Sequence, residues 1–290
     1  MLRILIRVLA AAGLLLATAV PALAQSEYLT PFPPHHVAGN IYFVGSKGMA
    51  VYLIVTPQGN ILVNSGLRES PDMIKQSIAK LGFKYADTKI LLISHAHFDH
   101  DAGSAQIVQE TGALYEVMDA DVGAVESGGK TDFQYAAQSE TLYPPVKVGR
   151  VLHDGDTVSL GGTVLTAHLT PGHTRGCTTW TLKVKDGGKT LNAVIVGSPN
   201  VNPGYVLVGN KAYPRIAQDY AKMFKVLKAL PADVFLGAHG AYYGMEAKFA
   251  KLKDGGANPF IDPAGYKAYV AERETAFRTE LARQQAGGKP

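Results

Sequence analysis

An α/β fold of two packed β-sheets with helices outside is predicted by three features of the chain. Short β-branched runs occur in two groups, a helical stripe accompanies each group, and histidine-bearing turns follow strands in both halves. The first group occupies residues 41–44, 51–56 and 61–64, which alternate with Gly-containing turns and read as an antiparallel meander. Ser70-Pro71 then offers an N-cap followed by proline at the first helical position, and Ile74, Ile78 and Leu81 form the stripe of that helix. The apolar run 90–93 is a strand, 102–111 a second helix and 114–118 a further short strand, before a loop around Gly128-Gly129. The second group repeats the style, with strands at 158–160, 164–169, 180–184 and 192–196 and a helix over 213–230. From 264 to 285, Tyr266, Tyr269, Val270 and Phe277 recur at helical spacing, so this last helix is expected to dock on the body. No low-complexity linker or short internal repeat divides the chain, and residues 25–290 read as a single domain.

His95-Ala96-His97-Phe98-Asp99-His100 follows the 90–93 strand and gathers three imidazoles and a carboxylate within six residues. His95 and His97, two apart at a strand end, project to one side, while Asp99 and His100 lie past the bend, so one cluster can serve two neighbouring ions. His173 in Thr170-Pro171-Gly172-His173-Thr174 and His239 in Gly237-Ala238-His239-Gly240 occupy strand-end turns and are the natural additional ligands. His35 and His36 read as loop residues, and His153 and His168 as structural strand or turn residues. Histidine and carboxylate donors gathered in this way suit zinc.

The N-terminus carries Arg3 and Arg7, an uncharged run over 8–20 and Ala22-Leu23-Ala24, the pattern of a signal peptide cleaved after residue 24; the alternative is an uncleaved anchor. The single cysteine, Cys177, cannot form an intramolecular disulfide, so stability must come from a core. Its position four residues after His173 allows a thiolate ligand, but the strand-like run that follows favours a small buried residue. The formal charge of +4 falls to near +2 without Arg3 and Arg7, and no Lys/Arg cluster of nucleic-acid type is present. A 47% hydrophobic composition is ordinary for a globular enzyme.

The hexapeptide, the Pro171-Gly172-His173 turn and the Gly237-Ala238-His239 turn stand in an order that closely resembles the metallo-β-lactamase superfamily, over about residues 40–254. That resemblance implies a four-layer αββα sandwich. Many of the family's hydrolases carry a Gly-Asp whose carboxylate bridges both metals. Here 196–199 reads Val-Gly-Ser-Pro, with neither that carboxylate nor the cysteine of the first two β-lactamase subclasses. What remains is similar to the third subclass, as are Pro203-Gly204-Tyr205, Tyr213-Pro214 and Asn258-Pro259-Phe260-Ile261.

Carried over residue by residue, the resemblance implies one Zn2+ held by His95, His97 and His173 and a second by Asp99, His100 and His239. It implies a periplasmic β-lactamase conferring antibiotic resistance, in which hydroxide on the zinc ions opens the β-lactam amide of a small-molecule substrate. Asp99 would orient that hydroxide and Tyr205 would set its phenol near the carbonyl oxygen. Ser198, Asn200 and Asn202 are polar candidates for the substrate carboxylate, although the family's two serines in this loop align with Pro199 and Val201. Asn64 departs from the family's usual aspartate and brings no charge behind the site. The expected partners are a β-lactam alone, with no nucleic acid and no membrane once the signal peptide is removed, and the expected state is a monomer. The alternatives are a hydrolase of the same fold acting on a lactone or ester, and a zinc-binding protein without catalysis.

Overall fold

The first sheet of the computed structural model, which describes residues 27–290, has seven strands in chain order. These are β1 (His35–Ala38), β2 (Ile41–Phe43), β3 (Tyr52–Thr56), β4 (Gly59–Val63), β5 (Thr88–Leu92), β6 (Leu114–Met118) and β7 (Arg150–Leu152). β2 to β4 form the expected antiparallel meander, β1 adds to its edge in the same sense, and β4 to β7 pair in parallel. The parallel steps need crossovers, supplied by α1 (Ser70–Lys80), by α2 (Phe98–Asp101) with α3 (Ser104–Thr111), and by the segment containing α4 (Asp119–Ser127). The second sheet has the order β12-β11-β10-β9-β8, built from β8 (Thr157–Leu160), β9 (Thr163–Leu169), β10 (Thr178–Asp186), β11 (Lys189–Val196) and β12 (Val234–Gly237). Between β11 and β12 runs α5 (Ile216–Ala229); α6 (Met245–Leu252) and α7 (Pro263–Gln285) close the chain. The predicted signal peptide, 1–24, lies outside the described residues. Among those described, no helix is long and apolar enough to cross a membrane.

Strand alternation explains the layers. Tyr52 and Ile54 of β3 join Trp180 and Leu182 of β10 in the core between the sheets, while Leu53 turns outward to meet Ile74 and Ile78 of α1 and Ile107 of α3. Each buried large apolar side chain contributes about 1.5–3 kcal/mol. On the opposite side, Ile216, Tyr220, Met223, Phe224 and Leu227 of α5 are buried at helical spacing. Phe277 of α7 stacks on Tyr220 and Phe224 at ring separations of 5.2 and 5.7 Å. The result is the αββα sandwich. Asp262 starts α7: its Oδ1 accepts the Gly265 amide at 2.8 Å, and its Oδ2 pairs with Lys248 at 2.8 Å. Asp262→Ala should therefore cost about 1–2 kcal/mol in urea denaturation, and an unchanged midpoint would deny the cap any role.

Hydrogen bonds join the two halves near the strand ends. Trp180 Nε1 donates to the Ile93 carbonyl at 3.0 Å, the Thr178 amide to Ser94 at 2.7 Å, and the Tyr52 hydroxyl to Gly237 at 2.8 Å. These hold the ends of β5, β10 and β12 at one edge of the sandwich.

The differences from the sequence reading have local causes. His35 and His36 lie in β1 and not in a loop; His35 is buried against Phe43 and Phe260, so its ring behaves as an aromatic strand residue. α1 starts one residue earlier than expected, with Glu69 in the cap position and no side-chain cap bond, and the Ser70 hydroxyl has no hydrogen-bond partner. α4 was not expected because only Asp121 and Val125 of its nine residues are buried, leaving no apolar stripe to read.

Candidate metal centre

β5 delivers the hexapeptide to the sheet edge, and the chain then turns into the single-turn helix α2, placing His95 and His97 before the helix and Asp99 and His100 within it. Asn64, directly after β4, supports this turn. It adopts φ 71°, a left-handed conformation that asparagine tolerates better than most residues, and its Oδ1 accepts the Ser94 amide at 2.8 Å. Its Nδ2 donates to the Ala50 carbonyl at 3.1 Å. Asn64 thus fixes the backbone leading into His95 through both ends of a neutral amide.

Donor atoms of His95, His97 and His173 lie within 4.8 Å of one another, as do those of His95, Asp99 and His100. Asp99 Oδ2 is 3.5 Å from His100 Nε2 and 3.6 Å from His239 Nε2, and those two nitrogens are 3.1 Å apart. The six residues named from the sequence therefore converge, as one triad of histidines and one of Asp99, His100 and His239. The buried His95 Nε2 and His100 Nδ1 have no hydrogen-bond partner. Buried polar atoms left unpaired in a cluster of nitrogen and carboxylate donors fit a bound cation such as zinc.

The other ring atoms are held by protein. His173 Nδ1 donates to the Asn200 carbonyl at 2.9 Å and His239 Nδ1 to the Gly48 carbonyl at 3.2 Å; His95 Nδ1 pairs with Ser94 Oγ at 3.1 Å. Asp132 Oδ2 stands 3.5 Å from His97 Nε2, and Asp132 Oδ1 accepts the amides of Gln134 and Tyr135 at 2.8 and 2.7 Å. Such partners orient ligand rings. Burial and the neighbouring histidines hold His95 and His173 well below the ordinary imidazole range, burial takes His100 down to about 3, and burial lowers His239. Burial opposes ionisation of Asp99, but His100, His239, His97 and His173 outweigh it and hold the carboxyl below its usual range. Neutral imidazoles beside an ionised carboxylate are the protonation states that bind metal.

Above the cluster opens a cleft of about 630 Å³, whose wall includes His97, Asp99, His173, His239, Tyr28, Lys47, Tyr135, Asn200, Asn202 and Tyr242. Tyr205 is placed otherwise than expected: it is 1% exposed, and its hydroxyl donates to the His173 carbonyl at 2.8 Å. The phenol fixes the backbone of His173 and does not reach the cleft, because the Pro-Gly turn directs the ring into the core against Phe133. Ser198 also corrects the sequence reading; it is buried, with Oγ 3.0 Å from the Tyr242 hydroxyl, which itself lines the cleft. Cys177 is fully buried among Ser198 backbone contacts, with its thiol pushed up to about 12 by burial, and takes no part in the donor clusters. His168 binds Thr181 Oγ1 at 2.8 Å and His153 lies beside Asp156, away from the cluster.

Comparison with known proteins is consistent with this geometry. The family model for the Metallo-beta-lactamase superfamily matches residues 49–239. Native FEZ-1 metallo-beta-lactamase from Legionella gormanii is 58% identical, with 88% of this chain and 98% of that one covered and a TM-score of 0.88. BJP-1, a subclass B3 metallo-beta-lactamase of Bradyrhizobium japonicum, is 42% identical, with 91% and 99% covered and a TM-score of 0.86. An acyl-coenzyme A thioesterase, MBLAC2 of Gallus gallus, is 28% identical over 144 residues, 43% of this chain; the match spans half (50%) of that relative's length.

Proposed function

The chain belongs to the metallo-beta-lactamase superfamily, and from that premise we propose that it is a zinc-dependent β-lactamase that works with two ions per chain. The observation that carries this reading is the convergence of His95, His97 and His173 beside Asp99, His100 and His239 at the floor of an open cleft. Similarity to β-lactamases over nearly their whole length, at 58% and 42% identity, supports the choice of substrate. Export to the periplasm, directed by residues 1–24, and a contribution to antibiotic resistance belong to the same proposal.

When bound, zinc supplies a Lewis acid for the β-lactam carbonyl and lowers the pKa of water from 15.7 toward about 7. The protein's share is position and charge. His95, His97 and His173 would hold one ion, and Asp99, His100 and His239 would hold the other. The Asp99 carboxylate faces the cleft and accepts a hydrogen bond from the attacking water, fixing its direction of approach. Asn200 and Asn202 offer side-chain amides on the cleft wall for the substrate carboxylate, their Nδ2 atoms held by the hydroxyls of Tyr242 and Tyr135 at 3.0 and 2.8 Å. Ser198 and Tyr205 support the wall from behind.

The test is hydrolysis of a penicillin, a cephalosporin and a carbapenem, with lactones and acyl thioesters assayed beside them. Ring opening that a chelator abolishes and zinc restores is the expected result. No β-lactam turnover by protein carrying two zinc ions, with turnover of a lactone or thioester, would move the assignment to that substrate.

A further inference from the structure

Three of the six donors stand on two loops whose backbones meet directly at the Thr178 amide–Ser94 carbonyl bond of 2.7 Å. His95 and His97 flank Ala96 after β5, and His173 precedes Thr174 between β9 and β10. The carboxyl group of Asp121, in the first turn of α4, lies between them. Its Oδ2 accepts the Ala96 amide at 3.0 Å and the Thr174 hydroxyl at 2.7 Å, and its Oδ1 accepts the Gly176 amide at 2.7 Å. Asp121 is 2% exposed and absent from the cleft wall, so it meets neither substrate nor ion. The approach is close enough to require glycine on the other side, since a Cβ on Gly176 would come within 2.6 Å of the Asp121 amide nitrogen.

We propose that Asp121 is the positioning residue of the three-histidine site: by tying the Ala96 and Thr174–Gly176 backbones together, it sets the spacing of His95 and His97 against His173. All three partners are hydrogen-bond donors to it, an arrangement that an aspartate side chain satisfies and an asparagine cannot. Its contacts also tie the first-sheet loop to the second-sheet loop at the height of the ligands, where Asn64 acts only on the first. Neither Asp101 nor Asp132 duplicates this. Asp101 bonds Ser104 and Tyr115, and Asp132 serves its own loop and the His97 ring.

The inference rests on the zinc reading above, so its test measures binding before activity. Apoprotein of the wild type and of Asp121→Asn, Thr174→Val and Thr174→Ser would be titrated with zinc against a chromophoric chelator. The melting temperature of each apoprotein and the visible spectrum of each cobalt-loaded form would be recorded. Asp121→Asn should weaken one of the two zinc sites by about tenfold or more, with an altered cobalt spectrum, while the other site keeps its affinity. Thr174→Val should shift the same site in the same direction by less, and Thr174→Ser, which keeps the hydroxyl, should bind as wild type. If Asp121→Asn does not fold, the Thr174 pair decides. A lower apoprotein melting temperature with both zinc affinities and the cobalt spectrum unchanged would make Asp121 merely structural and overturn the proposal. Failure of the wild type itself to bind zinc would instead remove the zinc reading and this inference with it.

Discussion

Asp99→Asn is expected to lower kcat/KM for a β-lactam by about three orders of magnitude. Asparagine keeps the shape of the side chain but loses its charge and puts donors where the carboxylate offers only acceptors. The loss would fall where Asp99 Oδ2 lies 3.5 Å from His100 Nε2 and 3.6 Å from His239 Nε2. Two consequences can be measured separately. On the two-zinc proposal, zinc content reports whether an ion is still held beside His100 and His239, and kcat at saturating zinc reports what the missing carboxylate costs in orienting water. A variant that retained two zinc ions and more than about a tenth of wild-type kcat/KM would show that Asp99 is dispensable to the chemistry.

The second large effect concerns a residue outside the cleft wall. His35 of β1 is enclosed by Phe32, Phe43, Phe249 and Phe260, with ring separations of 6.0, 5.1, 4.6 and 5.6 Å. Its Nδ1 donates to the Pro33 carbonyl at 2.8 Å, and its Nε2 is buried without a partner. Burial lowers this imidazole from 6.5 to about 4, against a small opposing effect of the Pro33 bond and with some help from His36. The folded pKa lies below the unfolded one, so the contribution is intact above about pH 6.5, where both states are neutral. As pH falls from 6.5 toward 4 the unfolded chain takes up a proton that the native chain refuses, and stability declines by about 3 kcal/mol in total. His35→Phe fills the same aromatic box and leaves the exposed Pro33 free to bind water. Denaturant titrations at pH 7.5, 6, 5 and 4 (about half-unit control suffices) should show the variant losing less stability toward acid than the wild type. Parallel curves for the two proteins would rule His35 out as a source of the slope.

How far the sequence could be read depended on the range of the interactions involved. The hexapeptide is legible because its donors are neighbours in the chain and the strand before it is strongly apolar. The turns at His173 and His239 are legible because Pro-Gly and Gly-Ala-His punctuate strand ends. Asp121 left no such trace: its partners Ala96 and Thr174 are 25 and 53 residues away, and its helix has no apolar stripe. Asp132 likewise meets His97 only through the fold. Tyr205 misled for a related reason, since a tyrosine after Pro-Gly can face solvent or core, and only the packing of Phe133 and the His173 carbonyl decides between them. β1 and β7, of four and three residues, are too short for alternation to register, and their pairing partners rather than their composition make them strands.

The split of donors between the two sheets also sets when in folding the protein can become competent. A chain folded only through β7 would own His95, His97, Asp99 and His100 but complete neither triad, because His173 follows β9 and His239 follows β12. The last donor arrives only when β12 pairs in parallel with β11, a contact that closes a long loop and is slow to form. The complete donor set therefore requires both sheets to be in place, with its last member supplied only after the final strand.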